Sequence, residues 1–221
     1  MPTPTVAVLA LNEARCIARC LRSAAFADQL LVVDGGSTDG SADMARAAGF
    51  TVVDAERGRA RQMNAGAALA RGEVLLFLHA DTQLPADADV AVRAALADGR
   101  RDWGRFDVRI TGRAPMLRVV AALMNLRSRL TGIATGDQAM FVRREAFDAV
   151  GGFPLQPLME DIELSRRLLR RARPACLRAR VITSGRRWEQ RGVWRTIVLM
   201  WRLRWAYWRG VPAEVLAEAY R

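Results

Sequence analysis

Short, continuously apolar runs alternate with helix-patterned segments through the first half of the chain, and this alternation limits the fold more than any other feature. The strands predicted from these runs occupy residues 6–11, 30–33, 50–53 and 73–78. The helix-patterned segments occupy residues 13–25, a stretch ending at about 48, and residues 59–70. Strands without polar alternation are buried on both faces, as in a parallel sheet that helices cover from both sides. The sequence therefore predicts an α/β fold whose first half is Rossmann-like.

The second half of the chain is less regular and predicts a mixed sheet. Residues 106–110 alternate apolar with polar side chains, which is typical of a half-exposed strand, and residues 139–142 form another short apolar run. Helices are predicted at residues 116–130 and from a start at or just before Glu160-Asp161. No repeat, low-complexity tract or linker interrupts the 221 residues, so we expect a single domain.

The basic charge is concentrated near the C-terminus. All 34 basic residues are arginine, the formal net charge is +11, and residues 166–221 contain 15 arginines against three acidic residues. This distribution favours a local contact with phosphate or anionic lipid over a nucleic-acid-binding protein. The longest apolar runs are too short to span a bilayer, and the start lacks the basic segment of a signal peptide, so we expect a cytoplasmic protein.

The only histidine, His79, stands at the end of the apolar run at 74–78 and is followed two residues later by Asp81. A buried strand that ends in a His and a carboxylate presents two metal-competent side chains at the edge where open α/β sheets bind ligands. Alternatively, His79 only ends a core strand and Asp81 caps the segment that follows. This segment alone leaves both interpretations open.

Other carboxylates also stand where strands end or helices begin. Glu13 follows the first predicted strand and Asp34 ends the second, so both are expected at the same sheet edge as Asp81. Together they could accept hydrogen bonds from a nucleotide and hold a metal against its phosphates. The pair Glu160-Asp161 opens a predicted helix, where the dipole keeps a carboxylate ionised and able to act as a base. Ordinary turn and helix-start residues are the alternative for each segment.

In order and spacing, these motifs resemble the family 2 glycosyltransferases of GT-A fold, in particular a compact bacterial subgroup. The resemblance covers about residues 6–171. The family segments are Asn12-Glu13, residues 32–40, Asn64-x-Gly66, residues 77–81 and residues 151–168. The subgroup segments are residues 57–66, 79–82, 135–138 and 186–189.

This resemblance implies a GT-A fold, with a mixed, mainly parallel sheet between helices and a C-terminal helical tail. It also implies inverting transfer of a sugar, of the hexosyltransferase type, from a nucleotide-diphosphate donor to a hydroxyl acceptor, with uridine as the expected base. Asp34 would contact the nucleobase, Asp81 would hold Mg²⁺ or Mn²⁺ on the diphosphate, and Asp161 would be the catalytic base. The donor half would be about residues 1–100 and the acceptor half about 101–221.

Further site residues follow from the same resemblance. On the donor side they are Asn12, Glu13, Gly36, Ser37, Arg59, Arg61, Asn64 and Ala80. On the acceptor side they are Gly136, Asp137, Gln138, Glu160, Arg187 and Trp188. The chain departs from the family at His79, where the usual motif has Asp, and at Met63, where Arg is common. His79 is either a metal ligand, which would favour Mn²⁺ over Mg²⁺, or a nucleotide contact.

The tail at residues 192–209 places four tryptophans on one helical face: Trp194, Trp201, Trp205 and Trp208. The favoured interpretation is that this face packs against the domain, because tryptophan buries a large area. The alternative is an interfacial helix on the inner face of the membrane. Four arginines would then meet anionic lipid, and a lipid-linked acceptor would be accessible: Arg195, Arg202, Arg204 and Arg209.

Two other functions remain open at this stage. A nucleotidyltransferase shares the sheet, but it places a Gly-rich basic loop after its first strand, where this chain has Leu11-Asn12-Glu13. A non-catalytic protein that binds a nucleotide sugar or a membrane surface would keep the fold without turnover. No nucleic-acid partner is expected. The sequence leaves the acceptor, the donor sugar and the oligomeric state undetermined.

Overall fold

The structure is a computed structural model and describes residues 4–220. The strands in this part of the chain are β1 (Pro4–Ala10), β2 (Gln29–Asp34), β3 (Thr51–Asp54), β4 (Val74–His79), β5 (Thr82–Gln83), β6 (Trp103–Thr111), β7 (Phe141–Arg143) and β8 (Ala175–Ser184). The α-helices are α1 (Ile17–Ser23), α2 (Ser41–Ala47), α3 (Arg59–Leu69), α4 (Ala88–Leu96), α5 (Met116–Thr131), α6 (Arg144–Ala149), α7 (Glu160–Leu169), α8 (Arg186–Arg191), α9 (Val193–Trp208) and α10 (Ala213–Tyr220).

All strands join one sheet in the order β3-β2-β1-β4-β7-β6-β8-β5. Strands β1 to β4 are parallel, as are β6 and β8. Strand β7 runs antiparallel to both β4 and β6, so β6 has the same direction as β4. The carboxyl ends of β1, β2, β4, β6 and β8 therefore point to one edge of the sheet. Ligands of open α/β sheets bind beyond this edge.

Apolar side chains cover both faces of the sheet, as the continuous apolar runs predict. One cluster joins the sheet to α1, α2, α4 and α5. The other joins it to α3, α6 and α7, and contains edge-to-face contacts of Phe153 with Phe77 and Phe147. Asn64 on α3 fixes the backbone of Phe153, because its side-chain amide donates to the Phe153 carbonyl at 2.9 Å and its oxygen accepts from the Phe153 N–H at 3.0 Å. This clamp holds the segment that leads into α7.

The predicted strands of the first half are all present, with their ends shifted by one or two residues. The predicted helix at 13–25 is shorter, because residues 13–16 form a turn before α1. Six elements lie where no pattern was recognised: α4, α6, α8, α10, β5 and β8. The mixed sheet of the second half is confirmed.

One prediction about burial holds only in part and another is wrong. Strand β6 exposes Arg109, as predicted, but Asp107 is buried and paired with the buried Arg105 beneath α5. Arg105 also donates to Ser128 of α5 at 3.0 Å, so hydrogen bonds compensate for its burial. The tryptophan face of α9 does not pack against the domain. The opposite face does, through Leu203, which belongs to a buried cluster with Leu158, Met159 and Leu216.

No helix within residues 4–220 is long and apolar enough to cross a membrane.

Gly104 on β6 should tolerate no side chain. A Cβ atom at this position would lie 2.5 Å from the carbonyl oxygen of Ala175 on β8 and would also overlap the ring of Phe141 on β7. We expect Gly104→Ala to lower the free energy of unfolding by about 3 kcal/mol or more, measured by urea denaturation. The control Gly99→Ala has open space and only a left-handed backbone, at φ +67°, and should cost about 1 kcal/mol. Equal costs for the two variants would contradict the close packing of β6 between its neighbours.

Candidate active site

A cleft of about 1290 Å³ lies beyond the carboxyl edge of the sheet. The ends of β1 and β4, the starts of α3 and α7, and the helices α5, α8 and α9 all contribute lining residues. The predicted site residues among them are Glu13, Arg59, His79, Ala80, Asp81, Gly136, Asp137, Glu160, Asp161, Arg187 and Trp188. The topology thus brings together residues that are up to 175 positions apart in the chain.

At the end of β4, His79 and Asp81 both line the cleft. Burial and then the positive charge of Arg59 lower the pKa of His79, so its imidazole is neutral at neutral pH. Asp81 takes part in no salt bridge of the described residues, and its side chain accepts one hydrogen bond from Thr82, at 3.2 Å. Within residues 4–220, no three His, Cys, Asp or Glu side chains are arranged to hold a metal by themselves. Asp81 is therefore an unneutralised carboxylate that faces the cleft.

Glu13 is joined to the C-terminal half by Arg186. One guanidinium nitrogen of Arg186 donates to both carboxylate oxygens of Glu13, at 2.8 and 3.0 Å. Burial raises the pKa of Glu13, the charge of Arg186 opposes this, and the charge of Asp81 adds to the rise. The pair fixes α8 against the loop after β1, and so places Arg187 and Trp188 at the cleft.

Asp161 is held in place by backbone donors at the start of α7. One of its oxygens accepts from the N–H of Gly136 at 2.9 Å and the other from the N–H of Ile162 at 2.8 Å. Gly136 is packed closely on its other side, since a Cβ atom there would overlap Nε2 of His79. Asp161 therefore faces the cleft in an orientation that two N–H groups define.

The neighbouring carboxylate, Glu160, has a different environment. Its side chain is buried, one oxygen has no hydrogen-bond partner, and Arg59 approaches the other at 3.7 Å. Burial, reinforced by the negative charge of Asp161, raises the pKa of Glu160 to about 7, although Arg59 opposes the rise. Two adjacent carboxyl groups of the chain thus lie in one cleft with opposite surroundings.

Seven predicted site residues are not among the residues lining the cleft. Six were predicted on the donor side, namely Asn12, Asp34, Gly36, Ser37, Arg61 and Asn64, and one, Gln138, on the acceptor side. Asp34 is buried and accepts from the N–H groups of Gly36 and Ser37 and from the Ser37 hydroxyl, at 2.5 to 3.0 Å. Asn12 accepts from the N–H of Thr38 at 2.9 Å. These contacts order the loop after β2, and a direct role in nucleotide binding stays a prediction.

Among the lining residues that were not recognised as site residues in the sequence are Gln62, Arg127 and Tyr220. Gln62 is buried and donates to the carbonyls of Ala10 and Val33, both at 2.9 Å, so it bridges the ends of β1 and β2. Gln62 belongs to a motif that the sequence already showed. Arg127 belongs to no such motif, and the sequence did not indicate its role because α5 shows only a helical apolar pattern.

Comparison with known proteins defines the family. The sequence profile described as "Glycosyl transferase family 2" matches residues 5–151, which is more than half of the chain. The chain belongs to glycosyl transferase family 2.

Solved structures share the fold of this family 2 member at low identity. TarS of S. aureus, residues 1–349, has a TM-score of 0.67 and 20% identity, over 83% of this chain and 60% of that TarS fragment. The mannosyltransferase PcManGT of Pyrobaculum calidifontis, in complex with GDP-Man and Mn²⁺, has a TM-score of 0.64 and 25% identity, over 93% of this chain and 61% of PcManGT. Glucosyl-3-phosphoglycerate synthase of Mycobacterium tuberculosis, with Mn²⁺, UDP-Glc and phosphoglyceric acid, has a TM-score of 0.61 and 20% identity, over 81% of this chain and 70% of the synthase.

The predicted GT-A architecture is confirmed by this likeness. The chain spans about 60% of the length of the TarS structure that it matches, so the activity of the longer protein is not transferred with the fold.

The raised pKa of Glu160 should make stability depend on pH. Between pH 4.5 and about 7 the folded protein holds a proton on Glu160 that the unfolded chain releases, so the free energy of unfolding falls as the pH rises through this window. Relative to Glu160→Gln, we expect the wild type to lose at most about 3 kcal/mol between pH 5 and pH 7.5, measured by urea denaturation.

The control for this measurement is Glu163→Gln, in the same helix but ion-paired with Arg167. If the wild type loses the same stability with pH relative to Glu163→Gln, Glu160 is not the cause of the pH dependence. An unfolding free energy that rises with pH relative to Glu160→Gln would contradict the described environment of Glu160.

Proposed function

We propose that this family 2 member transfers a sugar from a nucleotide-diphosphate donor to a hydroxyl acceptor, with inversion at the anomeric carbon. The observation that carries the proposal is that Asp81, at the end of β4, and Asp161, at the start of α7, line one cleft. The first suits a cation on a diphosphate, and the second suits a general base. Transfer needs the metal site at the diphosphate on one side of the sugar and the base at the acceptor hydroxyl on the other.

A divalent metal fits the donor side of the cleft. Magnesium and manganese are commonly bound by one or two carboxylates together with phosphate oxygens and water, so a cluster of three protein ligands is not required. Asp81 is available for this role because none of the described residues forms an ion pair with it. Neutral His79 could add a nitrogen ligand, which would favour Mn²⁺. The bound metal would supply positive charge to the departing diphosphate.

The chain's own residues then account for the proton transfer and the leaving-group charge. The acceptor hydroxyl loses its proton to a carboxylate oxygen of Asp161 as its oxygen bonds to the anomeric carbon, and the bond to the diphosphate breaks on the opposite side. The two backbone N–H groups on Asp161 keep its carboxylate oriented toward the cleft. Arg59 and Arg187 also line the cleft and can stabilise the charge that develops on the diphosphate.

The proposed donor is a sugar linked to a uridine nucleotide. TarS has been crystallised with UDP-GlcNAc and the mycobacterial synthase with UDP-Glc, whereas PcManGT was crystallised with GDP-Man, so the base must be measured. The competing proposal is a binding protein without turnover. It predicts donor affinity but no sugar transfer to any acceptor or to water.

Donor binding should depend on Asp81. In calorimetric titrations with UDP, GDP and their sugar conjugates, we expect one nucleotide to bind at least about tenfold more tightly with Mn²⁺ than without it, and Asp81→Ala to abolish this difference because the metal loses its carboxylate ligand. The control Asp54→Ala removes an exposed carboxylate that ends the parallel strand β3 outside the cleft. Metal dependence that persists in Asp81→Ala would exclude Asp81 as the ligand.

Transfer should depend on Asp161. We expect Asp161→Asn to bind the donor within about threefold of the wild type but to slow hydrolysis or transfer by about 10² or more, because the base is lost while the shape is kept. Asp148→Asn changes an exposed residue of α6 and serves as the control. A rate in Asp161→Asn equal to that of the control would remove Asp161 as the base.

A further inference from the structure

The helix α9 exposes a continuous apolar stripe. Its members are between 56% and 78% exposed: Trp194, Val198, Trp201, Trp205 and Trp208. Successive members are four, three, four and three positions apart, so all lie on one helical face. The opposite face is anchored in the protein through Thr196 and Leu203. The stripe is therefore a stable surface of a docked helix.

The helix α5 has a second stripe of the same kind. Its members are between 49% and 69% exposed: Val119, Leu123, Leu126 and Leu130. They are four, three and four positions apart, while Leu117, Val120 and Ala121 on the other side are buried in the core. Two helices from different parts of the chain thus leave apolar side chains in water.

Both stripes border the mouth of the cleft. All four members of the α5 stripe line the cleft, as do Trp194 and Trp201 of the α9 stripe. Residues that are both exposed and cleft-lining lie at its rim. We call the two stripes together the two-helix surface. Large exposed apolar patches with a polar border mark interaction sites rather than ordinary solvent-facing surface.

The charge of these two helices identifies the kind of partner. Together α5 and α9 contain six arginines and no acidic residue: Arg118, Arg127, Arg129, Arg195, Arg202 and Arg204. Arg118, Arg195 and Arg202 are exposed. If a second copy of the chain bound this surface across a two-fold axis, helices whose charged residues are all arginines would face each other. Such contacts between like charges are unfavourable. An anionic partner is electrostatically complementary.

We propose that the two-helix surface binds anionic lipid bilayers and turns the mouth of the cleft toward the lipid. Tryptophan side chains lie at the level of the headgroups, because their rings are apolar and their N–H groups remain hydrated. The leucines of α5 reach the same layer, and the arginines bind lipid phosphates beside it. An acceptor with an apolar chain would then approach Asp161 along the two-helix surface. That consequence rests on the proposed function, whereas membrane binding itself does not.

The test is binding of the full chain to vesicles, measured by flotation and by the emission of the exposed tryptophans. We expect at least tenfold stronger partitioning to vesicles with about 30% phosphatidylglycerol than to pure phosphatidylcholine, with a marked loss at about 0.5 M salt. Vesicle binding should also shift tryptophan emission to shorter wavelength, because the rings leave water. This readout needs neither donor nor turnover, so it fails or succeeds independently of the glycosyltransferase proposal.

A matched pair of variants locates the binding surface. Leu126 on α5 and Leu69 on α3 are both helical leucines with 52% exposure, but only Leu126 belongs to the two-helix surface. We expect Leu126→Glu and Trp201→Glu each to weaken binding to anionic vesicles by about tenfold or more, and Leu69→Glu to keep it.

Three results would overturn the proposal. The first is no binding, or equal binding to both kinds of vesicle. The second is an equal loss of binding in Leu69→Glu and Leu126→Glu. The third is a dimer in light scattering that Leu126→Glu dissociates, without binding to vesicles; this would assign the surface to a second copy of the chain.

Discussion

The parallel pairing of β1 with β2 and β4 determines where every proposed functional side chain can lie. Parallel strands end at a common edge, so Glu13, after β1, reaches the same cleft as His79 and Asp81, at the end of β4. At this edge, Gln62 donates to the carbonyls of Ala10 and Val33 and so ties the ends of β1 and β2 together. The second half of the sheet continues the same edge, because β7 runs antiparallel to both β4 and β6 and so leaves β6 in the direction of β4. This continuity brings α7 and α8 to the donor side.

Electrostatics then separates the carboxyl groups that meet there. Glu160 and Asp161 are adjacent in sequence, but Glu160 points into a buried environment beside Arg59, whereas Asp161 faces the cleft with two backbone donors. Burial and the neighbouring charge favour a proton on Glu160, which limits the repulsion between the two groups. Elsewhere, Arg186 compensates Glu13, and Asp81 keeps the uncompensated charge that a cation on a diphosphate would meet. The proposed donor and base functions therefore arise from different degrees of neutralisation among similar side chains.

The C-terminal helices combine anchoring with exposure. Leu203 and Leu216 join α9 and α10 to the segment before α7, and Arg186 ties α8 to the loop after β1. The tryptophan stripe of α9 is consequently held beside the cleft with its apolar face outward. The exposed leucines of α5 add a second apolar stripe at the rim of the same cleft. Membrane binding and sugar transfer, both proposals, would share these elements, since the same helices form the cleft wall and its outer rim.

The sequence by itself determined the strand–helix alternation of the first half, the mixed sheet and the segments that approach the cleft, because continuous apolar runs and helical spacing record burial directly. It did not reveal the buried pair Arg105–Asp107, since charged side chains on an alternating strand are typical of exposure and only α5, packed above them, supplies their partners. The orientation of α9 likewise depends on which of its faces packs against the rest of the protein. Four tryptophans on one face are compatible with a buried face and with an exposed one. Tertiary structure also decided which motif residues reach the cleft and which, such as Asp34 and Asn64, are occupied in holding their own loops, because hydrogen-bond partners far apart in sequence leave no periodic signal.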